Sequence, residues 1–223
     1  MNILTFDTCS DIMFITLGRD KQIINSKRVA NTAQSYNSAF LASTVAEILR
    51  KNNLKMQDID VIGANIGPGS FTGLRAGITT ARVIAQQLGI PAVGIPSFQI
   101  YSHLNETLKN TFCIMDARRG MAYCGIYNKD NEPILAPCLM DYENALEKAQ
   151  GEDFFNISDN RMAARLQEMG LSPVKFQESE ADFGGFLVQE AVKSLQNAPK
   201  DTYTWAKLKP LYIQTPSITM PKK

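Results

Sequence analysis

The stretch Gly67-Pro68-Gly69-Ser70-Phe71-Thr72-Gly73-Leu74-Arg75-Ala76-Gly77 decides the local fold of this 223-residue chain. It follows an apolar run at 60–66 that predicts a buried strand, and it leads into helical spacing over 72–88. Its first three residues favour a tight turn, and Ser70 or Thr72 is a candidate cap for the helix. The block therefore predicts a strand, a tight turn and a helix.

The glycine spacing does not match the phosphate-binding loops. A P-loop needs a lysine after its second glycine, but Leu74 follows Gly73 here. The dinucleotide fingerprint fails because Thr72 stands where the third glycine belongs. Ser70 also lacks the flanking glycines of a hydrolase nucleophile elbow. The backbone amides at the helix start leave an anion site open as the weaker alternative.

Small residues recur every four positions along the predicted helix. They are Gly69, Gly73, Gly77, Ala81 and Ala85. Positions four apart lie on one helix face, and a glycine inside a helix costs about 1 kcal/mol relative to alanine. Close approach of another backbone offsets such a cost. We therefore favour a packing surface, and the sequence leaves open whether its neighbour belongs to this chain or to a partner.

Composition favours a cytoplasmic protein without a membrane span. The net charge of +1 gives no reason to expect a broad nucleic-acid or membrane surface. No segment approaches the ~20 apolar residues that a span needs, and the first residues lack a signal-type pattern. The four cysteines form no CxxC pair, which argues against a zinc site.

A similar pattern of strands occurs twice along the chain. Each time an apolar strand ends in an aspartate, at Asp7 and at Asp116, and these lie 109 residues apart (116 − 7). The strand triplets are 2–6, 11–18 and 22–30 in the first half and 111–115, 121–127 and 133–140 in the second. This repeat predicts two α/β domains of similar topology, at 1–104 and at 105–223, the second ending in a mobile tail.

Residues at the strand ends leave two interpretations open. Asp7, with Thr8, and Asp116 could hold a metal–phosphate or act as bases if their turns face each other across a cleft. Alternatively, each carboxylate bonds the backbone of its own turn. Arg118 and Arg119 likewise suit either a phosphate grip or a solvated turn.

These motifs together resemble the bacterial TsaB family, also called YeaZ. The segments that carry the resemblance are the glycine block, Ile3–Thr8, Met115–Tyr123 and Pro210–Ile213. The first half matches closely, and 128–200 matches only in general pattern. The resemblance implies an actin-like, hexokinase-like (ASKHA) α/β fold of two duplicated domains with mixed sheets.

The resemblance also implies a function without catalysis. TsaB proteins are partners of the paralogous TsaD, which transfers a threonylcarbamoyl group to the tRNA adenosine beside the anticodon, and the ATPase TsaE joins them. We therefore expect an accessory subunit with no cofactor of its own, with ATP and metal on the partner subunits and tRNA reached only through the complex.

The implied interface lies on two first-domain helices, predicted at 34–52 and 72–88. It would serve a heterodimer with TsaD, a ternary complex with TsaE, or a homodimer. The implied interface residues are Gly69, Phe71, Thr72, Gly73, Leu74, Gly77, Ala81, Ala85, Leu41 and Val45.

Two enzymatic alternatives remain at the level of sequence. One is a small-molecule kinase or ATPase of the same fold that uses Asp7 and Asp116 around Mg-ATP. The other is a peptidase, for which we find neither a nucleophile set nor a metal pair. His103 is the only histidine of the chain, so the histidine pair that binds metal in the catalytic paralogue has no counterpart.

Overall fold

Alternating and continuous apolar runs build two five-stranded mixed sheets in this computed structural model, which describes residues 1–32 and 37–214. The first sheet comprises β1 (Asn2–Asp7), β2 (Ile12–Arg19), β3 (Gln22–Ala30), β4 (Val61–Asn65) and β5 (Ala92–Ile95). The second comprises β6 (Thr111–Arg118), β7 (Met121–Tyr127), β8 (Pro133–Asp141), β9 (Phe155–Ser158) and β10 (Val174–Lys175).

The two sheets have the same topology. Their strand orders are β3-β2-β1-β4-β5 and β8-β7-β6-β9-β10. In each sheet the first strand pairs antiparallel with the second and parallel with the fourth. The predicted duplication of an α/β domain with a mixed sheet is therefore confirmed.

Six α-helices connect and cover the strands in the described part of the chain. They are α1 (Leu41–Lys51), α2 (Phe71–Leu88), α3 (Ser97–Tyr101), α4 (Tyr142–Gly151), α5 (Asn160–Glu168) and α6 (Phe183–Asn197). None of these helices is long and apolar enough to cross a bilayer.

Two predicted helices are shorter in the structure. The helix predicted at 34–52 starts at Leu41 after a 3₁₀ turn at Asn37–Phe40, and 33–36 lie outside the described residues. The pattern at 96–108 also favours a helix, but the structure has one only at Ser97–Tyr101, followed by a 3₁₀ turn at Ser102–Leu104. The predicted mobile tail lies beyond Gln214, outside the described residues.

The helices and sheets are stacked in layers, with three apolar cores between them. The first core lies between the first sheet and the α1–α2 pair. The second lies between the two sheets and contains α3 and α6. The third lies between the second sheet and the α4–α5 pair. Both sheets are thus covered on both faces, as their apolar strands require.

The second half of the chain also completes the first domain. Helix α6 packs on β1 and β2, and the Ala92 amide donates to the Tyr203 carbonyl at 2.8 Å. His103, on the 3₁₀ turn after α3, contacts the second half of the chain. Its Nε2 lies 2.8 Å from Glu190 Oε1 of α6, and Glu190 is almost fully buried. The boundary near 104 divides the strands of the two sheets, but segments on each side of it pack against the other half.

Candidate functional site

The glycine block forms the turn that joins β4 to α2. Gly67 has a φ of 99°, where a side chain is disfavoured. The Ser70 amide donates to the Cys9 carbonyl at 2.7 Å, and the Ser70 hydroxyl accepts from the Gly73 amide at 3.4 Å. These contacts confirm the predicted strand, turn and helix, with Ser70 as the cap.

The small face of α2 packs on the chain's own turn after β1. A Cβ on Gly69 would lie 2.5 Å from the Cys9 carbonyl oxygen, and a Cβ on Gly73 or Gly77 would overlap Thr8. The Thr8 hydroxyl also donates to the Gly73 carbonyl at 2.6 Å. The close approach of another backbone to this face, which the glycines predicted, is therefore present. A partner helix cannot pack on this face in this conformation, because Thr8 and Cys9 already occupy it.

The other predicted interface residues divide between core and surface. Five of them are buried in the first core: Leu41, Val45, Leu74, Ala81 and Ala85. They cannot contact a partner in this conformation. Phe71 and Thr72 lie on the surface, and Phe71 is 46% exposed.

Helices α1 and α2 present a second face to solvent, which we call the outer helical surface. Its exposed small or apolar members are Ala42, Ser43 and Ala46 on α1 and Thr72, Thr79 and Val83 on α2, and the same helices also expose Arg50, Arg75, Gln86 and Gln87. Val83 is 52% exposed, and α2 contains no acidic residue. Depletion of acidic side chains, with arginine retained, is a feature of protein interfaces.

Asp7 and Thr8 do not face the space between the domains. The Asp7 carboxylate is 1% exposed and accepts the Cys9 amide at 3.0 Å. Burial raises the pKa of Asp7, and the hydrogen bond from Cys9 only partly offsets it. Thr8 is also buried, with its hydroxyl engaged by α2. Their placement therefore gives no support to a cleft site, because Asp7 bonds its own turn and Thr8 bonds α2.

Asp116 is engaged by three donors of its own domain. It accepts the Tyr142 hydroxyl at 2.6 Å, Arg161 at 2.7 Å and the Arg118 amide at 2.8 Å. Burial alone would raise the pKa of Asp116, but these hydrogen bonds and the nearby arginines hold it below its usual range. The Asp116 carboxylate borders the larger cavity, but three donors of its own domain already bond it.

The residues of the chain therefore do not fit a magnesium–nucleotide site built on the two aspartates. Across residues 1–32 and 37–214, no group of three or more His, Cys, Asp or Glu side chains is placed to hold a metal. The alternative of a kinase that uses Asp7 and Asp116 receives no support from this geometry.

Two neighbouring cavities open between the domains. The larger, of about 560 Å³, is bordered by the Cys9–Asp11 turn and by the turn that begins at Asp116. The two turns therefore face each other, as the duplication suggests. The smaller, of about 420 Å³, is bordered by the start of α2, by Arg118 and Arg119, and by Leu211–Gln214. We call it the C-terminal cavity.

One cluster beside the C-terminal cavity has no signal in local sequence. The Arg75 guanidinium lies 3.8 Å from the centre of the Phe71 ring, and Arg75 Nε donates to the Tyr212 hydroxyl at 3.3 Å. The Phe71 and Tyr212 ring centres are 6.0 Å apart. The Pro210–Ile213 motif marked this segment, but its contact with α2 joins residues far apart in the chain.

The duplicated mixed sheets and the cleft between homologous turns define an actin-like, two-domain α/β protein. Two solved structures share the fold at 18% identity. YeaZ from Pseudomonas aeruginosa has a TM-score of 0.72 and covers 95% of this chain and 99% of its own. A protein described as similar to peptidase YEAZ from the same organism has a TM-score of 0.76, with 96% and 99% covered.

The family model described as "TsaD: tRNA N6-adenosine threonylcarbamoyltransferase" matches residues 23–208. The chain belongs to this family. It is also similar to the curated TsaB proteins below and to the YeaZ structures, which confirms the resemblance of the motifs to TsaB (YeaZ).

The curated relatives match this chain over only part of their length. The TsaB protein of Bacillus subtilis is 30% identical over 135 residues, which cover 59% of this chain and 57% of that protein. The TsaB protein of Escherichia coli is 25% identical over 137 residues, or 60% and 58%. An uncharacterised protein of Mycobacterium tuberculosis is 32% identical over 128 residues, or 56% and 58%. The matches thus span somewhat more than half of each relative.

Proposed function

We propose that this chain is a non-catalytic subunit that binds TsaD and supports transfer of a threonylcarbamoyl group to the tRNA adenosine beside the anticodon. Relatives named as tRNA threonylcarbamoyladenosine biosynthesis proteins support the pathway. In this proposal ATP and metal belong to the partner subunits, and TsaE joins the assembly. Asp7 and Asp116, whose carboxylates are engaged inside their own domains, agree with a role outside catalysis.

The outer helical surface is the observation that carries the proposal. It has exposed small and apolar side chains beside arginines and glutamines, and Val83 is an exposed aliphatic side chain of α2. The opposite face of α2 is filled by the first domain. A partner that binds these helices must therefore use the outer face. A second copy of the chain would compete for the same surface.

The substitution Val83→Glu tests this surface. A carboxylate buried without a partner costs more than the 1.4 kcal/mol that corresponds to tenfold in affinity, so we expect TsaD binding to weaken at least about tenfold. Ile134→Glu is the matched control, because Ile134 is 57% exposed on β8 of the second domain. Sedimentation with purified TsaD measures both, and sedimentation of the chain alone measures self-association.

The two variants separate the possible results. Weaker binding by Val83→Glu alone supports the proposal. Wild-type affinity in Val83→Glu, or an equal loss in both variants, contradicts the assignment of the interface to α1 and α2.

A further inference from the structure

The C-terminal cavity combines aromatic rings with arginines. Phe71, Tyr123 and Tyr212 border it, together with Arg118 and Arg119. Among its described lining residues there is no carboxylate. The neighbouring larger cavity differs, because Asp11, Asp116 and Asp159 border it. The larger cavity shares Phe71, Tyr123 and Arg118 with it, so a lining without carboxylates is what distinguishes the C-terminal cavity.

The turn itself does not explain these arginines. Arg118 and Arg119 have φ values of 68° and 53°, in the left-handed region where Asn or Gly is preferred in tight hairpins. Arg118 reaches Asp116 only at 3.7 Å, and both arginine side chains are exposed. In the described part of the chain no carboxylate lies within ion-pair distance of Arg119. Its positive charge is thus available at the cavity.

The two aromatic side chains beside these arginines are also about half exposed. Phe71 and Tyr212 are 46% and 50% exposed, although both are large rings. Arg75 lies against Phe71 and bonds Tyr212, so it holds the two rings next to each other. Rings fixed beside cations are the usual contacts for unpaired bases and their phosphates.

We propose that the C-terminal cavity binds an unpaired nucleotide of an RNA strand, with the base against Phe71 and Tyr212 and the phosphate at Arg118 and Arg119. A cavity of about 420 Å³ is within the range that holds one small ligand. The inference rests on the proposed function for the choice of tRNA. It goes beyond that function because the chain itself contacts the RNA.

The test measures binding of an unmodified tRNA transcript by fluorescence anisotropy, to the full chain and to its complex with TsaD. We expect Arg119→Ala to weaken tRNA binding about fivefold or more. We also expect it to reduce the slope of log affinity against log salt concentration by about one, which corresponds to the loss of one phosphate contact. We expect Tyr212→Leu to weaken it similarly through lost stacking, and Tyr212→Phe to retain most of the affinity. Lys129→Ala, on an exposed turn of the same sheet, is the control.

TsaD binding by the same variants separates this inference from the proposed function. Loss of tRNA affinity with unchanged TsaD affinity supports the cavity as an RNA site. Wild-type tRNA affinity in both Arg119→Ala and Tyr212→Leu overturns it. Equal loss of TsaD binding overturns it in favour of a protein contact. Adenosine monophosphate that binds as tightly as the transcript overturns it in favour of a free nucleotide.

Discussion

At the end of β1, the Asp7 carboxylate lies inside the protein and accepts the Cys9 amide at 3.0 Å. Burial raises its pKa above the ordinary value of 3.8. The folded protein therefore holds this proton more tightly than the unfolded chain does. The stability that the proton contributes is present below about pH 3.8 and is lost as the pH rises through the raised pKa.

The substitution Asp7→Asn tests this residue. Asparagine keeps an oxygen for the Cys9 amide and has no charge to bury, so we expect higher stability than the wild type at pH 7. The gain should vanish below about pH 4, where Asp7 is protonated in both states. Urea unfolding between pH 3 and 8 measures it, with Asp201→Asn, an exposed carboxyl, as the control. Lower stability at pH 7 or a gain that is independent of pH would contradict this account.

At the scale of elements, α2 has two faces with different roles. The glycine face lets Thr8 and Cys9 approach the helix backbone, which fixes the helix against the end of β1. The outer face remains free for a partner. A bulky residue at Gly73 would therefore disturb folding, and it would not report on the interface.

The substitution Gly73→Ala should destabilise the protein by about 1–3 kcal/mol, because the new methyl group overlaps the Thr8 carbonyl. Gly151→Ala in α4 is the matched control. Nothing lies within 4 Å of its new Cβ, so a neutral or stabilising effect of up to about 1 kcal/mol is expected. Thermal unfolding measures the stability of both variants. Equal effects would contradict the account that the close contact between Gly73 and Thr8 requires a glycine.

At the scale of the whole molecule, the two halves share one central core. Helix α6 comes from the second half but covers the first sheet, and α3 from the first half faces the second sheet through Phe98 and Cys113. Glu190 binds both His103 and Gln99 across this boundary. Neither half buries its sheet on both faces alone.

We therefore expect the fragment 1–104 to lack cooperative unfolding by itself and to regain it when mixed with the fragment 105–223. The cut lies before the exposed loop that contains Leu108, so it leaves the strands intact. Circular dichroism and size exclusion would measure both states. Cooperative unfolding of 1–104 alone would show that the first domain is independent of α6.

Local pattern was sufficient for much of the fold. The repeated strand triplets, the start of α2 at the glycine block and the family all follow from the order of residues, because periodicity and turn chemistry are properties of neighbours. The two-residue strand β10 was not predicted, since it has no period of its own.

The candidate site depended on the tertiary structure. The small face of α2 was visible in the sequence, but only folding placed Thr8 against it and left Val83 outside. Likewise, Asp7 became buried and Tyr212 came to lie beside Phe71 through contacts between distant parts of the chain. The sequence determined which elements form and that they form twice. Which faces remain free for a partner is decided by packing, because burial depends on every element around a residue.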